Sequence, residues 1–205
     1  MITDVIQKLV ERTDLTEQEA RSVMEEIMTG QATDVQVAGF LTALRMKGET
    51  STELIGFARV MREKAEPLWN GSVPAVLDTC GTGGDGSGTF NISTAAAFVA
   101  AGAGIKVAKH GNRSASSRCG SADVMEALGL DIQMPIERLR RAIMEVGVGF
   151  LFAPRFHSSM KHVVPARTQL KIRTVFNMLG PLANPASARY QVMGVSSMEI
   201  VEVIA

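Results

Sequence analysis

Apolar residues in the first part of the chain, residues 1–66, recur three and four positions apart, which is the spacing of one face of an α-helix. The pattern predicts four short helices. The second, third and fourth each start with a capping box, in which a Thr hydroxyl and a Glu or Gln side chain satisfy free backbone N–H groups. The pairs are Thr16/Glu19, Thr33/Gln36 and Thr50/Glu53. Such one-sided helices must bury their apolar faces against each other, the rest of the chain or a second subunit.

A linker at residues 67–74, with a proline at each end, separates this helical pattern from a different one. Beyond the linker, short apolar strands alternate with helices, which indicates a parallel α/β sheet. The predicted strands are 75–77, 105–108, 148–152 and 190–195, and the predicted helices are 93–101, 122–128, 136–146 and 168–179.

Together the patterns predict an α/β protein with two domains, a small four-helix domain followed by a parallel-sheet α/β domain. We place the helical domain at residues 1–70, with a role in dimerisation, and the α/β domain at residues 71–205. Residues 160–185 are candidates for packing back on the helical domain. A last helical pattern in residues 196–205 stops without a C-terminal cap. We therefore expect an incomplete sheet and a chain that is a fragment of a longer one.

The charged residues balance, with 21 Lys and Arg against 21 Asp and Glu. This excludes a globally basic nucleic-acid binder and an acidic disordered chain. The distribution is nevertheless uneven, because residues 71–205 hold thirteen basic and nine acidic residues, and no acid lies between Gly86 and Ala122. Local positive charge favours an anionic ligand, although a solvated basic face would give the same pattern.

The two cysteines, Cys80 and Cys119, are too few for a disulfide framework or a zinc site. No predicted base lies near either thiol, so we interpret both as small packing residues. The N-terminus lacks the features of a signal peptide, and no apolar run reaches the ~18 residues that span a bilayer. We expect a cytoplasmic protein with reduced thiols and no membrane partner.

The run DTCGTGGDGSGTFNIST, residues 78–94, lies between a predicted strand and a predicted helix. Its five glycines allow backbone N–H groups to approach an anion closely. The helix that follows adds the partial positive charge of its N-terminus. The run therefore predicts a cradle for phosphate or diphosphate, and the alternative is a flexible surface loop.

Two common nucleotide motifs fit this run poorly. Gly81, Gly83 and Gly86 match G-x-G-x-x-G, but a dinucleotide site needs an acid about 20 residues further on. That region holds Lys106 and Lys109, with no acid before Asp123. The Gly-Lys-Ser/Thr of a P-loop is absent from the sequence.

A second polar run, KHGNRSASSRCGSAD at residues 109–123, follows the next predicted strand. It should leave the sheet at the same carboxyl edge as the first loop, where open α/β sheets bind ligands. It offers cations, short hydroxyl side chains and two glycines, and Ser121 is placed to cap the next helix. His110 has the chemistry of an acid–base group, although a lone His in a polar loop more often contacts phosphate or has a structural role. Two such loops suggest a ligand with two anionic ends.

The two loops, together with RTVFNMLGPLANPA at residues 173–186, resemble the anthranilate phosphoribosyltransferase family. The likeness extends from about Thr3 to Ala205 and implies the class III nucleoside phosphorylase/phosphoribosyltransferase fold. It implies transfer of the phosphoribosyl group from phosphoribosyl diphosphate to anthranilate in tryptophan biosynthesis, by a magnesium-dependent homodimer. It also implies small-molecule substrates and no nucleic-acid partner.

The resemblance implies roles for residues of both loops, and it implies no catalytic nucleophile on the protein. Ser93 would ligate magnesium, and the acceptor would contact Gly81, Asn112 and Arg167. The implied donor contacts are Gly81, Gly84, Asp85, Thr89, Asn91, Ile92, Ser93 and Thr94 in the first loop, and Lys109, His110, Gly111, Asn112, Arg113, Ser114, Ala115, Ser116, Ser117 and Ser121 in the second. A guanidinium such as that of Arg167 suits the carboxylate of anthranilate.

The chain departs from the family in three respects. Cys119 stands where Ser is usual, Lys171 replaces a frequent Gly, and a later Asp-Glu pair that ligates magnesium lies beyond Ala205. The fragment alone is therefore expected to be inactive or impaired. The alternatives are a pyrimidine nucleoside phosphorylase, a non-catalytic nucleic-acid-binding relative of the same fold, or a helical dimerisation piece.

Overall fold

The computed structural model describes residues 1–83, 88–114 and 119–205. Two compact units are present, and each combines segments that are distant in sequence. The helical unit comprises Met1–Ala65, His157–Ala183 and Met198–Ala205, and the sheet unit comprises Glu66–Phe156 and Asn184–Ser197. The domain limits of 1–70 and 71–205 stay a prediction.

The described residues form the predicted combination of an N-terminal helical bundle and a parallel α/β sheet. The elements in chain order are α1 (Ile2–Val10), α2 (Glu17–Met28), α3 (Asp34–Lys47), α4 (Ser51–Lys64), β1 (Leu77–Gly81), α5 (Ile92–Gly102), β2 (Val107–Gly111), α6 (Ser121–Ala127), α7 (Ile136–Arg141), β3 (Val148–Phe152), α8 (Ala153–Phe156), α9 (Val164–Leu170), α10 (Phe176–Leu182), β4 (Tyr190–Gly194) and α11 (Met198–Ile204). A π-helical turn, Ala142–Val146, extends α7, and a 3₁₀ turn, Ser158–His162, precedes α9.

The three predicted capping boxes begin α2, α3 and α4. In each, the Thr hydroxyl accepts a hydrogen bond from the backbone N–H three residues on, at 3.2, 3.3 and 3.3 Å. Gly30 and Gly48, at φ 75° and 93°, lie at the ends of α2 and α3 in the conformation that favours glycine. Local sequence therefore determines where these helices start and stop.

Residues of α9 and α10 belong to the core of the helical unit. Val163, Phe176 and Leu179 are buried in the same apolar cluster as Leu44 and Phe57. At the end of α10, the Leu182 carbonyl accepts a hydrogen bond from Arg62 Nε of α4 at 2.6 Å. Residues 157–183 are therefore held to the helices by both apolar packing and a side-chain cap.

The helix predicted over 168–179 is wrong. The structure has two helices there, α9 and α10, separated at Lys171, which adopts a left-handed conformation at φ 52°. The Asn177 side chain then accepts a hydrogen bond from the Thr174 backbone N–H at 2.9 Å and begins the next turn. Lys171, Ile172 and Thr174 give this run weak helix propensity, because two of the three are β-branched.

The sheet is parallel throughout and has the order β3-β2-β1-β4. β1 and β2 each begin two residues later than predicted and run on to Gly81 and Gly111. The first residues of both predicted loops are therefore strand residues. Within the described part of the chain, no helix is long and apolar enough to cross a bilayer.

Candidate functional site

The glycine-rich run starts inside the sheet. A Cβ atom on Gly81 would lie 3.2 Å from the Gly194 carbonyl oxygen of β4, so close strand packing favours glycine there. Gly83 and Gly88 adopt φ angles of 62° and 65°, which L side chains rarely adopt. The predicted donor contacts Gly84 and Asp85 lie outside the described residues.

The first loop ends at the N-terminus of α5. Asn91 is the N-cap, and the first turn contains no acidic residue. Partial positive charge therefore collects where Ile92, Ser93 and Thr94 begin the helix. The N–H groups of Ile92 and Thr94 already donate to nearby backbone carbonyls, at 2.8 and 3.0 Å. The Asn91 side-chain amide donates a hydrogen bond to the Cys119 carbonyl at 3.1 Å. This contact brings the first loop and the second loop to the same edge of the sheet.

Lys109 is buried, with 1% of its surface exposed. Its ammonium donates hydrogen bonds to the Thr79 carbonyl of β1 and, at 3.2 Å, to the Ser93 hydroxyl of α5. Burial lowers the pKa of Lys109, and the neighbouring Asp78 carboxylate opposes that shift. Lys109 therefore acts on the α5 N-terminus from within the sheet, through its charge and through Ser93.

Asp78 is fully buried beside Lys109. Its carboxylate accepts hydrogen bonds from the His110 backbone N–H at 3.1 Å and from the Gln191 side chain at 3.2 Å. The Asn184 side chain lies near this carboxylate. Desolvation by burial raises the pKa of Asp78 in spite of these neighbours. The carboxylate thus connects β1 to β2 and to β4.

The second loop folds tightly around Gly120. A Cβ atom there would lie 2.2 Å from the backbone nitrogen of Ser114, and one on Gly111 would lie 2.2 Å from the Ser121 hydroxyl oxygen. The Ser121 hydroxyl donates a hydrogen bond to the Asn112 carbonyl at 3.2 Å. Three of the predicted donor contacts, Ala115, Ser116 and Ser117, lie outside the described residues.

One expectation for the second loop is wrong. Ser121 is not the cap of α6, because Gly120 is the N-cap and its N–H donates to the Asp123 carboxylate at 2.7 Å. Arg113, a predicted donor contact, pairs through its guanidinium with Asp123 at 2.9 Å and with Glu126 at 2.6 Å. Both acids come from α6, so the chain neutralises this charge locally.

The remaining side chains near the loops include His110 and the two thiols. The His110 side chain is 6% exposed in β2. Cys80 is buried, and burial raises the pKa of its thiol to about 12, which leaves it unreactive. Cys119 is exposed, so its interpretation as a packing residue is wrong.

Arg167, the predicted acceptor contact, lies on α9 in the helical unit. Its guanidinium stands over the Phe176 ring, 5.4 Å from the ring centroid. Burial lowers the pKa of Arg167, and among the described residues no acid pairs with it. A desolvated guanidinium without an acidic partner is suited to bind a carboxylate.

Ser93 is the predicted magnesium ligand, and the described residues around it could supply only part of the coordination of a magnesium ion. The described residues contain no cluster of three or more His, Cys, Asp or Glu that could hold a metal ion. The Ser93 hydroxyl oxygen accepts a hydrogen bond from Lys109 and offers a single neutral ligand. This arrangement fits a magnesium ion held largely by phosphate oxygens and water, as Mg²⁺ commonly is.

The sequence assigned no site role to four residues whose hydrogen bonds connect the strands that carry the two loops. They are Asp78, Thr79, Asn184 and Gln191. Asp78 carried the one available signal, because it is an acid within an apolar strand and buried acids require partners. Asn184 and Gln191 are distant in sequence from both loops, so no local pattern could have identified them.

The chain belongs to the glycosyl transferase family. The helical bundle domain of that family matches residues 3–65, and its a/b domain matches residues 73–205.

Among its relatives, the anthranilate phosphoribosyltransferase of Chloroflexus aurantiacus is 59% identical over 204 residues, which are 100% of this chain and 60% of that protein. The enzyme of the same name from Syntrophobacter fumaroxidans is 56% identical over 205 residues, again 60% of its length. The chain therefore spans about 60% of the length of these curated relatives.

Solved structures agree with these relatives. The anthranilate phosphoribosyltransferase TrpD of Thermus thermophilus superposes with a TM-score of 0.90 at 52% identity, covering 98% of this chain and 61% of that one. The Saccharomyces cerevisiae enzyme in complex with PRPP and Mg gives 0.87 at 32% identity, covering 97% and 59%.

Proposed function

We propose that the protein to which this chain belongs transfers the 5-phosphoribosyl group from phosphoribosyl diphosphate to the amine of anthranilate, in tryptophan biosynthesis. The products are N-(5-phosphoribosyl)anthranilate and diphosphate. The observation that carries the proposal is the meeting of two loops at the carboxyl edge of the sheet, joined by the Asn91–Cys119 hydrogen bond. The relatives and the Saccharomyces cerevisiae structure with PRPP and Mg support it.

The donor diphosphate would lie at the N-terminus of α5. Helix N-termini bind phosphate groups through free N–H donors and the helix dipole. The residues from Asn91 to Thr94 would hold the diphosphate mainly through the Ser93 N–H and hydroxyl, because the Ile92 and Thr94 N–H groups already donate to backbone carbonyls at 2.8 and 3.0 Å. Lys109 supplies a positive charge directly behind Ser93. The other implied contacts of both loops, from Gly81 to Thr89 and from His110 to Ser121, would surround the rest of the donor.

The reaction needs charge neutralisation more than it needs a nucleophile on the protein. The bond between the anomeric carbon and the diphosphate oxygen breaks, a bond from that carbon to the anthranilate nitrogen forms, and the amine loses a proton. A magnesium ion, when bound, would neutralise charge on the leaving diphosphate. Positioning of the two substrates and electrostatic stabilisation supply the remainder of the catalysis.

The acceptor would be held by its carboxylate. Arg167 is the best-suited cation among the described residues of the helical unit, because it is desolvated and has no acidic partner there. The side chain of Asn112 and the backbone at Gly81 complete the proposed acceptor set. We further propose a cytoplasmic homodimer, in which apolar faces of the helical unit meet those of a second copy.

Fluorescence of anthranilate tests the proposal. The full-length protein to which this chain belongs is mixed with phosphoribosyl diphosphate, magnesium and anthranilate, and binding of each substrate is measured alongside turnover. We expect magnesium-dependent binding of the donor and quenching of anthranilate fluorescence on transfer. Matched samples with inorganic phosphate and thymidine test the nucleoside phosphorylase alternative. Binding of thymidine and phosphate, without binding of the diphosphate donor, would contradict the proposal.

A further inference from the structure

β1 and β2 are joined differently from the other strand pairs of the sheet. β1 pairs with β4 at five positions, and β2 pairs with β3 at five positions. Between β1 and β2, in contrast, the register contains a single pair, Leu77 with Val107. The two strands that carry the two loops are therefore the two that do not pair along their length.

Two charged side chains connect the strands beyond this pair. Asp78 points from β1 and accepts the His110 N–H of β2, a donor that regular pairing would direct to a backbone carbonyl. Lys109 points from β2 and donates to the Thr79 carbonyl of β1. Each side chain thus satisfies a backbone group of the opposite strand. The pair replaces the backbone ladder between the strands at the level of the loops.

We propose that Asp78 is a positioning residue for the donor site, because its carboxylate, together with Lys109, holds β1 and β2 at the spacing that sets the two loops apart. The inference rests on the proposed function and adds a residue that positions the proposed donor site. Asp78 does not touch the ligand. It acts through the His110 backbone and through Gln191, which donates to the carboxylate from the other side.

The geometry explains why a charged pair lies here at all. Two apolar side chains in place of Asp78 and Lys109 would cost less in desolvation. They would not, however, supply the bonds that these two side chains make to the His110 N–H and the Thr79 carbonyl. Unsatisfied buried backbone groups cost stability, so the strands would close until those groups paired directly. Closure would bring the ends of β1 and β2 together and narrow the space between the loops.

Asp78→Asn tests the inference, with magnesium diphosphate as the probe and isothermal titration calorimetry on the whole chain as the measurement. Asparagine keeps the shape and one oxygen for the His110 N–H, but it removes the negative charge beside Lys109. We expect affinity at least about tenfold weaker. The swap Asp78→Asn with Gln191→Glu returns a carboxylate to the same hydrogen bond, and should return affinity to within about threefold of wild type.

Glu53→Gln is the matched control. Glu53 is also a fully buried carboxylate, and it binds Lys47 at 3.1 Å and two backbone N–H groups at 2.9 Å. It lies on α4, in the helical unit. Its substitution should lower the free energy of unfolding and leave the affinity for magnesium diphosphate within about twofold of wild type.

Each outcome decides the matter. A folded Asp78→Asn variant that binds as wild type does would overturn the inference, as would equal weakening by Glu53→Gln or a swap that recovers nothing. Should Asp78→Asn not fold, Gln191→Leu removes one exposed partner of Asp78 and should weaken binding about threefold; unchanged affinity there also overturns it. Absence of binding by the full-length wild-type protein overturns the proposed function itself, which keeps the two failures distinct.

Discussion

Single residues determine how charge is distributed around the loops. Lys109 and Arg113 are both cations of the second polar run, yet one is buried beneath the α5 N-terminus and the other is paired with two acids of α6. Sequence position alone could not separate them, because the partners of Lys109 come from β1 and α5. Among the described residues, the positive character of the proposed donor site therefore comes from Lys109 and from backbone dipoles.

Phe176 carries a testable role beneath Arg167. Phe176→Leu keeps an apolar side chain but removes the aromatic face that supports the guanidinium. A cation–π contact of this kind contributes about 0.5–2 kcal/mol. We expect the dissociation constant for anthranilate to rise about three- to tenfold, with donor affinity unchanged. Fluorescence titration with anthranilate measures the first quantity and calorimetry measures the second.

Phe40→Leu is the control for that substitution. Phe40 is equally buried in the helical unit and packs edge-on against Phe57 at 5.9 Å between ring centroids. It should lose similar stability without a change in anthranilate affinity. Equal weakening by both variants would show that Phe176 acts through general packing alone.

Gly120 is required by the close approach of the second loop to itself. In Gly120→Ala, the new methyl group would meet the Ser114 nitrogen and the Arg113 carbonyl carbon, which are backbone atoms that cannot turn aside. Overpacking of this kind costs about 1–3 kcal/mol. We expect that loss in urea unfolding, together with weaker donor binding.

Gly102→Ala provides the comparison in the same unit. Gly102 is the last residue of α5, and a Cβ atom there meets nothing within 4 Å. Because alanine favours helix by up to about 1 kcal/mol over glycine, this variant should be as stable as wild type or more so. A Gly120→Ala variant as stable as Gly102→Ala would contradict the packing described for the loop.

At the scale of elements, helix ends were predictable and long-range strand contacts were not. The three capping boxes gave the starts of α2, α3 and α4 correctly, because Thr and its Glu or Gln partner act within one turn. The limits of β1 and β2 were displaced, since they depend on how each strand pairs with its neighbours. The break at Lys171 was missed because the stretch from Thr168 to Leu179 is apolar at helical spacing.

The α2 capping box should make stability depend on pH. Hydrogen bonds from Lys8 and from the Thr16 backbone lower the pKa of Glu19 to about 2. A carboxylate with a lowered pKa stabilises the folded state above its unfolded pKa of 4.5 and loses that contribution as the pH falls towards 2. Wild-type stability should therefore decline over this window by more than that of Glu19→Gln.

Urea unfolding between pH 5 and pH 2 measures this difference, on the assumption of a two-state transition. The α3 box, Thr33/Gln36, already carries the neutral partner and shows that glutamine supports the same geometry. Identical pH profiles for wild type and Glu19→Gln would contradict the role assigned to the Glu19 carboxylate.

At the scale of the whole molecule, the fold class and the family were predictable, whereas the arrangement that supports the loops was not. Long motifs in sequence order indicated the phosphoribosyltransferase resemblance, and the family match over residues 73–205 agrees with it. The interleaving of chain segments, with residues 157–183 in the helical unit, follows from apolar packing between distant residues. Charge and composition only excluded two classes of protein, a globally basic nucleic-acid binder and an acidic disordered chain.

The central claim is that the donor diphosphate binds at the N-terminus of α5, over Ser93 and Lys109. A crystal of the chain grown with phosphoribosyl diphosphate and magnesium tests it most directly. We expect diphosphate density within hydrogen-bond distance of the Ser93 backbone N–H and of the Ser93 hydroxyl. Diphosphate bound elsewhere, with the α5 N-terminus empty, would contradict it.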